Sequence, residues 1–364
     1  MSKTSPFIMI SSGGTGGHMS PASALATELR QRGVRVELMT DSRGLRYSKM
    51  FDGLAIHEVR SGTAGAGLLG KVKGALNLGR GILSAFKILK TLKPDIVVGF
   101  GGYPSVPGVF AAQRLKIPTV LHEQNAIIGK ANVFLAPKAK EIALSLPYVT
   151  GLETAEQKRV TVTGNPVRAD IVALSEVAYA PLDENGPMNI FIMGGSLGAT
   201  VLSEVVPRAL SKLSDDYRKR LNVVQQCREA DIDDARQVYE QSGITAELSP
   251  FIDDVADVLQ KAHLVIARSG ASTVAEVSIA GKPVIYVPYP HHKDQQQKRN
   301  ADAVADEGGA WVMTEDGFTV DALFARIETF FQNSDILPNA AARAKTCGKP
   351  DAASALADIV VDAI

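Results

Sequence analysis

The sequence has little cysteine and no excess of either charge. Its two cysteines, Cys227 and Cys347, form no Cys-x-x-Cys motif and have no histidine close to them in the chain. This pattern argues against a metal site or a disulfide framework and favours a reducing, cytosolic environment. Lysine plus arginine and aspartate plus glutamate number 39 each. The global charge therefore indicates no nucleic-acid partner, and any electrostatic partner must meet a local patch.

Long hydrophobic runs are also missing. No segment approaches the ~18–20 consecutive apolar residues of a membrane-spanning helix. The N-terminus lacks the basic segment, apolar stretch and small-residue cleavage site of a signal peptide. We therefore expect a cytosolic protein that is at most peripheral to a membrane. Apolar residues make up 45% of the 364 residues and charged residues 21%, which is ordinary for a protein with full-sized cores.

The clearest positive feature is a strand–glycine loop–helix pattern that occurs twice. An apolar run at residues 7–11 leads into Gly-Gly-Thr-Gly-Gly-His at 13–18, and a second run at 189–193 leads into Gly-Gly-Ser-Leu-Gly-Ala at 194–199. Glycines let the backbone turn sharply and let a ligand approach the main chain. The helix start behind each loop suits a phosphate or diphosphate. Glycines that serve only turns and helix–sheet packing are the alternative, which the second copy disfavours.

Apolar runs without strict alternation predict buried parallel strands, six in each half. They fall at residues 7–11, 34–39, 95–100, 118–122, 142–146, 160–163, 189–193, 221–226, 245–248, 263–267, 283–287 and 310–313. Because helix-like segments separate them, we predict an α/β protein with two Rossmann-like, doubly wound parallel-sheet domains. The predicted domains are 1–166 and 167–350. A helix is predicted at 351–364, and we expect it to pack back on the N-terminal domain.

The first glycine loop has three possible interpretations as a phosphate site. A dinucleotide site needs Gly-x-Gly-x-x-Gly, but counting from Gly14 places Met19 at the third glycine, and Asp41 is a weak candidate for the ribose carboxylate. The P-loop pattern is absent. A sugar-nucleotide transferase with two facing domains remains, since open α/β sheets bind ligands outside the carboxyl ends of their strands. Polar clusters follow predicted strands at 99–105, 122–125, 268–276 and 291–297.

These motifs together resemble the MurG family of N-acetylglucosaminyltransferases. The matching segments lie in order and at family-like spacing, at residues 13–18, 21–22, 101–103, 122–126, 163–168, 194–199, 268–271 and 296–301. The resemblance implies a GT-B fold with two domains facing across a cleft. It also implies inverting transfer of GlcNAc from UDP-GlcNAc to the C4 hydroxyl of MurNAc in undecaprenyl-diphosphoryl-MurNAc-pentapeptide. That reaction converts lipid I to lipid II in peptidoglycan synthesis.

The resemblance also implies which residues bind the substrates. Ile252 would contact uracil through its backbone, and Ser196 would contact the diphosphate. Glu276 would accept hydrogen bonds from ribose hydroxyls, although an ordinary exposed helix residue is the alternative. The implied substrate-binding set is Thr15, Gly16, Gly17, Asn125, Arg168, Ser196, Ile252, Ala271, Ser272, Thr273, Val274, Ala275, Glu276, Gln296 and Gln297. Gln296 and Gln297 are assigned to the GlcNAc hydroxyls, with a solvated helix face as the alternative.

The sequence departs from the family at two places. Gln-Gln-Cys-Arg stands at residues 225–228, where many members carry His-Gln-Ser-Gly, so the diphosphate and ribose surroundings on that loop are expected to differ. Val255 replaces a methionine common near the uracil. Neither change touches the glycine loops.

His18 is the predicted general base, because it follows the glycine loop at a helix start where the dipole keeps an imidazole neutral. A ring that merely caps the loop is the alternative. His122 and Tyr103 are predicted to orient the acceptor or its diphosphate. No Asp-x-Asp metal clamp follows a strand, so we expect neither a metal nor another cofactor, with the leaving diphosphate held by main-chain N–H groups, helix dipoles and Ser196.

A basic, apolar segment predicts contact with an anionic membrane surface, since the implied acceptor carries a long lipid. Its predicted membrane residues are Leu68, Leu69, Lys71, Val72, Lys73, Phe86 and Lys87. A helix packed on the domain with a solvated lysine face is the alternative. We therefore expect a peripheral protein at the cytoplasmic face of the cell membrane, with cell-wall synthesis proteins as further candidate partners.

Functions of other kinds remain open at this stage. A diacylglycerol glycosyltransferase and a UDP-GlcNAc 2-epimerase share the GT-B fold, and a non-catalytic membrane scaffold would keep the fold without the reaction. The scaffold is disfavoured because the polar loop residues are all present. A nicotinamide oxidoreductase is disfavoured by the missing third glycine.

Overall fold

A computed structural model of the protein describes residues 5–62, 67–195, 199–292 and 294–364, without the side chains of 67–71. The chain forms two compact units. One comprises Met1–Arg168 and Pro350–Ile364, and the other comprises Ala169–Lys349.

The first unit is built on a seven-stranded parallel sheet in the order β3-β2-β1-β4-β5-β6-β7. Its strands are β1 (Phe7–Ser11), β2 (Arg35–Thr40), β3 (Ile56–Glu58), β4 (Ile96–Gly99), β5 (Thr119–Glu123), β6 (Glu141–Leu144) and β7 (Val160–Val162). Its helices within the first stretch of chain are α1 (Gly16–Gln31), α2 (Gly67–Leu92), α3 (Gly102–Arg114), α4 (Lys130–Leu135) and α5 (Thr154–Gln157). Short 3₁₀ helices occupy Gly44–Phe51 and Ala136–Lys138.

Both faces of this sheet are covered, which explains why its central strands β1, β4 and β5 are buried at every position and largely apolar. In β1, Ile8 and Ile10 enter one core cluster, whereas Phe7 and Met9 enter the cluster on the opposite face. Successive side chains of a strand point to opposite faces. A strand with helices on both sides therefore buries all of them, as the apolar runs predicted.

The second unit repeats the design with a six-stranded parallel sheet in the order β10-β9-β8-β11-β12-β13. Its strands are β8 (Met188–Met193), β9 (Leu221–Gln226), β10 (Thr245–Ser249), β11 (Leu264–Ala267), β12 (Val284–Tyr286) and β13 (Ala310–Val312). Its helices are α6 (Ala169–Ala173), α7 (Thr200–Ser211), α8 (Asp215–Arg218), α9 (Ile232–Gln241), α10 (Val255–Lys261), α11 (Ala271–Ile279), α12 (Gln296–Ala305), α13 (Val320–Gln332) and α14 (Ile336–Cys347). Further 3₁₀ helices lie at Leu174–Glu176, Glu229–Asp231 and Glu315–Gly317.

The last helix, α15 (Ala352–Asp362), belongs to the first unit although it follows the second in sequence. It packs against α1. Leu356, Ala357 and Val360 are fully buried in the same cluster as Ile8 and Ile10. The end of the chain therefore completes the core of the first unit.

Strand order reverses at the same place in both sheets, between β1 and β4 in the first and between β8 and β11 in the second. Open α/β sheets bind ligands outside the carboxyl ends of the strands at such a switch point. Each of the loops that follow these four strands contains at least one glycine, and the loops after β1, β4 and β8 contain two or more in the segment that leads into the next helix. Topology therefore places the motif residues of each unit at the carboxyl edge of its sheet.

Candidate active site

The first glycine loop, between β1 and α1, is held by the buried carboxylate of Asp41. This carboxylate accepts hydrogen bonds from the Gly14 and Gly44 N–H groups at 3.1 and 3.0 Å, the Ser61 hydroxyl at 2.7 Å and Arg43 Nε at 3.0 Å. Burial alone would raise the pKa of Asp41, but these hydrogen bonds and the Arg43 charge hold it below its usual value. Asp41 is thus committed to the loop, which leaves it no place as a ribose ligand.

His18 stands in the first turn of α1 and reaches across to the loop after β4. Gly101 and Gly102 of that loop have φ of 74° and 68°. A Cβ added to Gly102 would lie 3.0 Å from His18 Nε2. Glycine is therefore required at this position twice over, by the backbone conformation and by the imidazole that lies against it.

A chain of hydrogen bonds runs inward from His18. Its Nδ1 lies 3.0 Å from Gln124 Oε1, and Gln124 Nε2 lies 2.8 Å from His122 Nδ1. His122 Nε2 in turn lies 3.1 Å from the Gly164 carbonyl oxygen. The chain connects the loops that follow β1, β5 and β7. Gln124 lies in the polar cluster at 122–125, and the sequence alone indicates no role for it.

His122 has no exposed surface and packs against the Phe100 ring, with centroids 5.2 Å apart. Burial lowers the pKa of His122 to about 4, so its imidazole is neutral near pH 7. A side chain without exposed surface does not touch the acceptor in this conformation. The position of His122 behind His18 therefore supports His18, and the prediction that His122 orients the acceptor stays a prediction.

The other predicted residues of the first unit lie at the same edge of the sheet. Thr15 and Gly17 are exposed, and Tyr103 in the first turn of α3 is 53% exposed. Asn125 is half-buried, and the buried Glu123 carboxylate accepts from its main-chain and side-chain N–H groups at 3.1 and 3.3 Å. Tyr103 is thus the accessible aromatic group beside the His18–Gly102 contact.

Two loops form the corresponding edge of the second unit. After β8, Gly195 has φ of 80°, and α7 begins at Thr200; Ser196 lies outside the described residues. After β11, helix α11 begins at Ala271 with Gly270 as its N-cap. The predicted segment from Ala271 to Glu276 thus forms the start of a nine-residue helix whose positive dipole end faces the carboxyl edge.

Arg268, for which the sequence indicates no role, connects three loops of this edge through its contacts. Its guanidinium donates to the Val287 and Pro288 carbonyl oxygens at 2.9 and 3.1 Å and to Glu315 at 2.6 Å. It also lies over the Tyr289 ring, 5.6 Å from the centroid. Loops that follow β11, β12 and β13 are therefore held in one arrangement by a nearly buried side chain.

The paired glutamines are oriented by their own loop. Gln297 Oε1 accepts from the Tyr289 N–H at 2.9 Å, and Gln296 Nε2 lies 3.1 Å from His292 Nδ1. The preceding Gln295 has φ of 53°, in the left-handed region that a non-glycine residue rarely adopts. Such strain often accompanies a binding loop.

The loop that departs from the family pattern turns partly into the core. Gln225 is fully buried, and its Oε1 accepts from the Tyr239 hydroxyl at 2.6 Å. Burial raises the pKa of the Cys227 thiol. Arg228 lies at the surface and makes two hydrogen bonds of 2.8 Å to Asp231. The first and third residues of this segment therefore have structural roles.

Helix α2 presents an apolar and basic face to solvent. Val72, Leu76 and Leu83 are 52%, 58% and 71% exposed, and Lys73 and Lys87 are exposed beside them. Phe86, predicted as a membrane residue, is partly buried and packs against the core instead. The side chains of Leu68, Leu69 and Lys71 lie outside the described residues.

Two features are absent from the part of the chain that the structure describes. No helix in it is long and apolar enough to cross a membrane. No group of three or more histidine, cysteine, aspartate or glutamate side chains in the same ranges could hold a metal ion.

Comparison with known proteins identifies the two halves separately. Residues 8–144 match the glycosyltransferase family 28 N-terminal domain, and residues 189–356 match the glycosyltransferase family 28 C-terminal domain. The two-domain α/β architecture predicted from the sequence is confirmed by these matches and by the sheets described above.

Similar proteins cover nearly the whole chain. An enzyme of Rhodospirillum centenum is 49% identical over 98% of this chain and 94% of its own length. One of Paramagnetospirillum magneticum is 46% identical over 100% of this chain and 98% of its own. Both are named UDP-N-acetylglucosamine--N-acetylmuramyl-(pentapeptide) pyrophosphoryl-undecaprenol N-acetylglucosamine transferase.

A solved structure agrees with these relatives. The crystal structure of Acinetobacter baumannii MurG superposes with a TM-score of 0.80, at 31% identity, covering 98% of this chain and 99% of the other. The resemblance stated from the motifs is thereby confirmed. The chain belongs to the MurG family of N-acetylglucosaminyltransferases.

Proposed function

We propose that the protein transfers GlcNAc from UDP-GlcNAc to the C4 hydroxyl of MurNAc in undecaprenyl-diphosphoryl-MurNAc-pentapeptide, converting lipid I to lipid II with inversion. The observation that carries this proposal is the full-length relationship to transferases whose names state this donor and acceptor. The positions of the motif residues support it, because in each unit they lie at the carboxyl edge of a parallel sheet.

His18 is proposed as the general base. The acceptor O4 attacks the sugar C1 while its proton passes to His18 Nε2, and the bond from C1 to the diphosphate oxygen breaks to release UDP. The Nε2 side of the ring lies against Gly102, and Nδ1 is engaged with Gln124. Tyr103, exposed in the next helix, is proposed to orient the acceptor.

The donor UDP-GlcNAc is proposed to bind the second unit together with Arg168, the residue that precedes it in the chain. The α11 helix start and Ser196 would stabilise the leaving diphosphate, and Glu276 would accept from the ribose. Gln296 and Gln297 would meet the GlcNAc hydroxyls, and their contacts with His292 and Tyr289 hold both amides in fixed orientations. Ile252, half-buried after β10, would contact uracil, while Arg168 would reach the nucleotide.

The decisive assay supplies UDP-GlcNAc with three acceptor conditions and follows the products. Disaccharide formation on the lipid-linked muramyl-pentapeptide is expected. Transfer to diacylglycerol instead, or an epimer formed without any acceptor, would replace the proposal with one of the related GT-B activities. Binding of UDP-GlcNAc without any product would indicate a scaffold.

Metal independence is a separate proposal. Stabilisation of the diphosphate by helix dipoles and main-chain N–H groups needs no divalent ion. Full activity in excess chelator is expected. Activity that is lost in chelator and restored only by Mg²⁺ or Mn²⁺ would overturn this proposal while leaving the transfer reaction intact.

We also propose that the protein binds the cytoplasmic face of the membrane through the exposed α2 face, defined as Val72, Lys73, Leu76, Leu83 and Lys87. These positions recur at helical spacing on one side of α2, whose opposite side packs against α3 and the core. Apolar anchors flanked by lysines suit an anionic bilayer. Phe86 is left out because it packs inward.

Vesicle sedimentation tests this surface. The double variant Leu76→Gln/Leu83→Gln should bind anionic vesicles about tenfold or more weakly, since each buried leucine contributes about 1.5–3 kcal/mol. Binding of the parent should also fall as salt rises. Val162→Gln is the matched control, because Val162 is an exposed apolar residue of the same unit, in β7. Equal binding by the parent and the double variant would exclude the exposed α2 face.

A further inference from the structure

Two main-chain carbonyl groups fix the direction of the hydrogen-bond chain behind His18. A carbonyl oxygen can only accept. His122 Nε2 lies 3.1 Å from the Gly164 oxygen, so this nitrogen must carry the proton. Gln124 Nε2 lies 3.1 Å from the His122 oxygen, so the amino group of the amide must point to the His122 side.

These two fixed points determine the remaining protons. A neutral His122 protonated at Nε2 has a lone pair on Nδ1, which accepts from Gln124 Nε2 at 2.8 Å. The carbonyl oxygen of the Gln124 amide then faces outward and lies 3.0 Å from His18 Nδ1. Since that oxygen can only accept, His18 must donate from Nδ1. In the neutral ring, Nε2 is then left with the lone pair.

The opposite arrangement fails at both ends. A reversed amide would set its oxygen against the His122 carbonyl oxygen, 3.1 Å from the present nitrogen position. It would also require a proton on His122 Nδ1 and so place a bare Nε2 against the Gly164 oxygen in a neutral ring. Two acceptors in contact inside a buried site cost several kcal/mol at least in lost hydrogen bonds.

We propose that Gln124 is a positioning residue that fixes the tautomer of His18, holding the proton on Nδ1 so that Nε2 is the basic nitrogen for the transfer reaction. The proposal rests on the proposed function for its catalytic meaning. The direction comes from the Gly164 and His122 carbonyl oxygens and is passed outward by His122 and the amide. A free imidazole populates both tautomers, and the partner of one nitrogen decides which is present.

The surroundings of His122 disfavour its protonation, which would remove the acceptor for the hydrogen bond from Gln124. Its ring is buried beside Phe100, and burial together with the nearby His18 keeps the pKa of His122 low, at about 4. The nearest carboxylate in sequence, Glu123, is engaged by the Gly129 N–H at 2.9 Å and by Asn132 Nδ2 at 2.8 Å. Near neutral pH the chain therefore has one direction.

Histidine tautomers are read directly by long-range ¹H–¹⁵N correlation spectroscopy of protein labelled at its six histidines. In the parent, His18 should appear as the Nδ1–H form and His122 as the Nε2–H form. In Gln124→Met, which removes both hydrogen bonds, His18 should shift to a mixture or to Nε2–H. The value of kcat should then fall by about 10–10²-fold, a share of what general-base catalysis contributes. The KM for UDP-GlcNAc should stay unchanged.

Gln124→Glu separates tautomer control from simple support. A carboxylate still accepts from His18 Nδ1, so the His18 tautomer and much of kcat should be retained. The same carboxylate cannot donate to His122, so His122 should take up a proton at Nδ1 while its Nε2 keeps donating to the Gly164 oxygen. Gln113→Met is the matched control, since Gln113 is a partly buried glutamine of α3 whose amide bonds Thr119 and the Leu135 carbonyl. It should alter neither tautomer.

The outcomes decide the proposal in each case. An unchanged His18 tautomer in Gln124→Met, or a changed tautomer with unchanged kcat, would overturn it. If Gln124→Met does not fold, the proton gained by His122 Nδ1 in Gln124→Glu carries the test, and its absence would refute the directed chain. The tautomers are measured without acceptor. A parent enzyme that fails to form disaccharide would therefore contradict the proposed function and not the spectroscopic result.

Discussion

At the scale of single residues, His122 shows how burial converts a histidine into a fixed dipole. Its imidazole has no exposed surface, donates to the Gly164 carbonyl and accepts from Gln124. A charged ring would lose both its solvation and the Gln124 bond. The lowered pKa is therefore also a statement about stability.

The pH dependence of unfolding should report this histidine. Its pKa is about 4 in the folded protein against 6.5 ordinarily, so below pH 6.5 the unfolded chain binds a proton that the folded chain refuses. Stability should fall as pH drops from about 6.5 to about 4 and lose roughly 3 kcal/mol from this group. Urea unfolding of the parent and of His122→Gln across this range measures the difference. Parallel pH profiles would contradict the prediction.

Asp41 organises the first glycine loop by charge-assisted hydrogen bonds. Asp41→Asn removes the charge and replaces one acceptor oxygen by an amino group that faces donors. We expect a loss of about 1.5–3 kcal/mol in unfolding free energy, the usual contribution of hydrogen bonds to a charged group, and a lower kcat. Chemical denaturation and the disaccharide assay measure these changes.

Asp52→Asn is the control for that variant, because Asp52 is exposed and accepts from Arg30 only through its main-chain oxygen. It should change stability by no more than about 0.5 kcal/mol. A similarly small effect of Asp41→Asn would show that the loop does not depend on the carboxylate.

At the scale of secondary-structure elements, the approach of α1 to the start of α3 depends on Gly102. Gly102→Ala would force a side chain into a left-handed backbone position and bring its Cβ within 3.0 Å of His18 Nε2. We expect a loss of about 1–2 kcal/mol in stability and a larger loss in kcat, because the imidazole must move. Denaturation midpoints and kcat test both.

Gly79→Ala in α2 is the matched glycine variant. A Cβ there would meet no heavy atom within 4 Å of it, among the described residues. Since alanine is the better helix former, this variant should gain about 0.5–1 kcal/mol. Equal effects of the two alanine substitutions would contradict the role assigned to Gly102.

The elements also show what the sequence could and could not predict. The strands β1 and β11 were predicted from their apolar runs. Both faces of each sheet are covered, so every side chain of these strands is buried. The edge strand β3 was missed because its three residues, Ile-His-Glu, form no apolar run and pair only with β2. Helix α14 was missed because Pro338 resembles a helix-breaking residue in the sequence. In the structure Pro338 lies in the first turn of α14, where a helix tolerates proline.

The candidate site follows the same division. The motifs identified His18 and the loops at the strand ends, since polar residues after buried strands have a recognisable pattern. They gave Gln124, Asp41 and Arg268 no supporting role, because these residues act through partners that are distant in sequence. Gln124 meets His18 across 106 residues, and Arg268 meets Glu315 across 47. Contacts of this kind depend on the tertiary fold.

At the scale of the whole molecule, the two units share a strand order and differ in how they are completed. The second unit is a continuous segment, whereas the first needs α15 from the end of the chain. Leu356 of α15 is fully buried against the first sheet, and Asp358 on the same helix is exposed and pairs with Arg32. Variants of these two residues therefore distinguish the contribution of apolar burial to stability from that of a surface ion pair.

Leu356→Ala should therefore cost about 2–5 kcal/mol in unfolding of the first unit, from lost burial and the cavity that remains. Asp358→Ala should cost at most about 1 kcal/mol, because an exposed ion pair contributes little. Calorimetry or urea unfolding with each variant measures the difference. Equal losses would show that α15 is held by its surface contacts.

The return of α15 has a consequence for the order of events during synthesis. A ribosome produces the seven strands of the first sheet long before it produces Leu356, Ala357 and Val360, which fill the space beside α1. The second unit, encoded in between, can fold as soon as its own segment has emerged. The nascent first unit therefore exposes an apolar surface until α15 has been synthesised. Chaperone occupancy of the growing chain should persist until α15 has emerged and end when α15 docks.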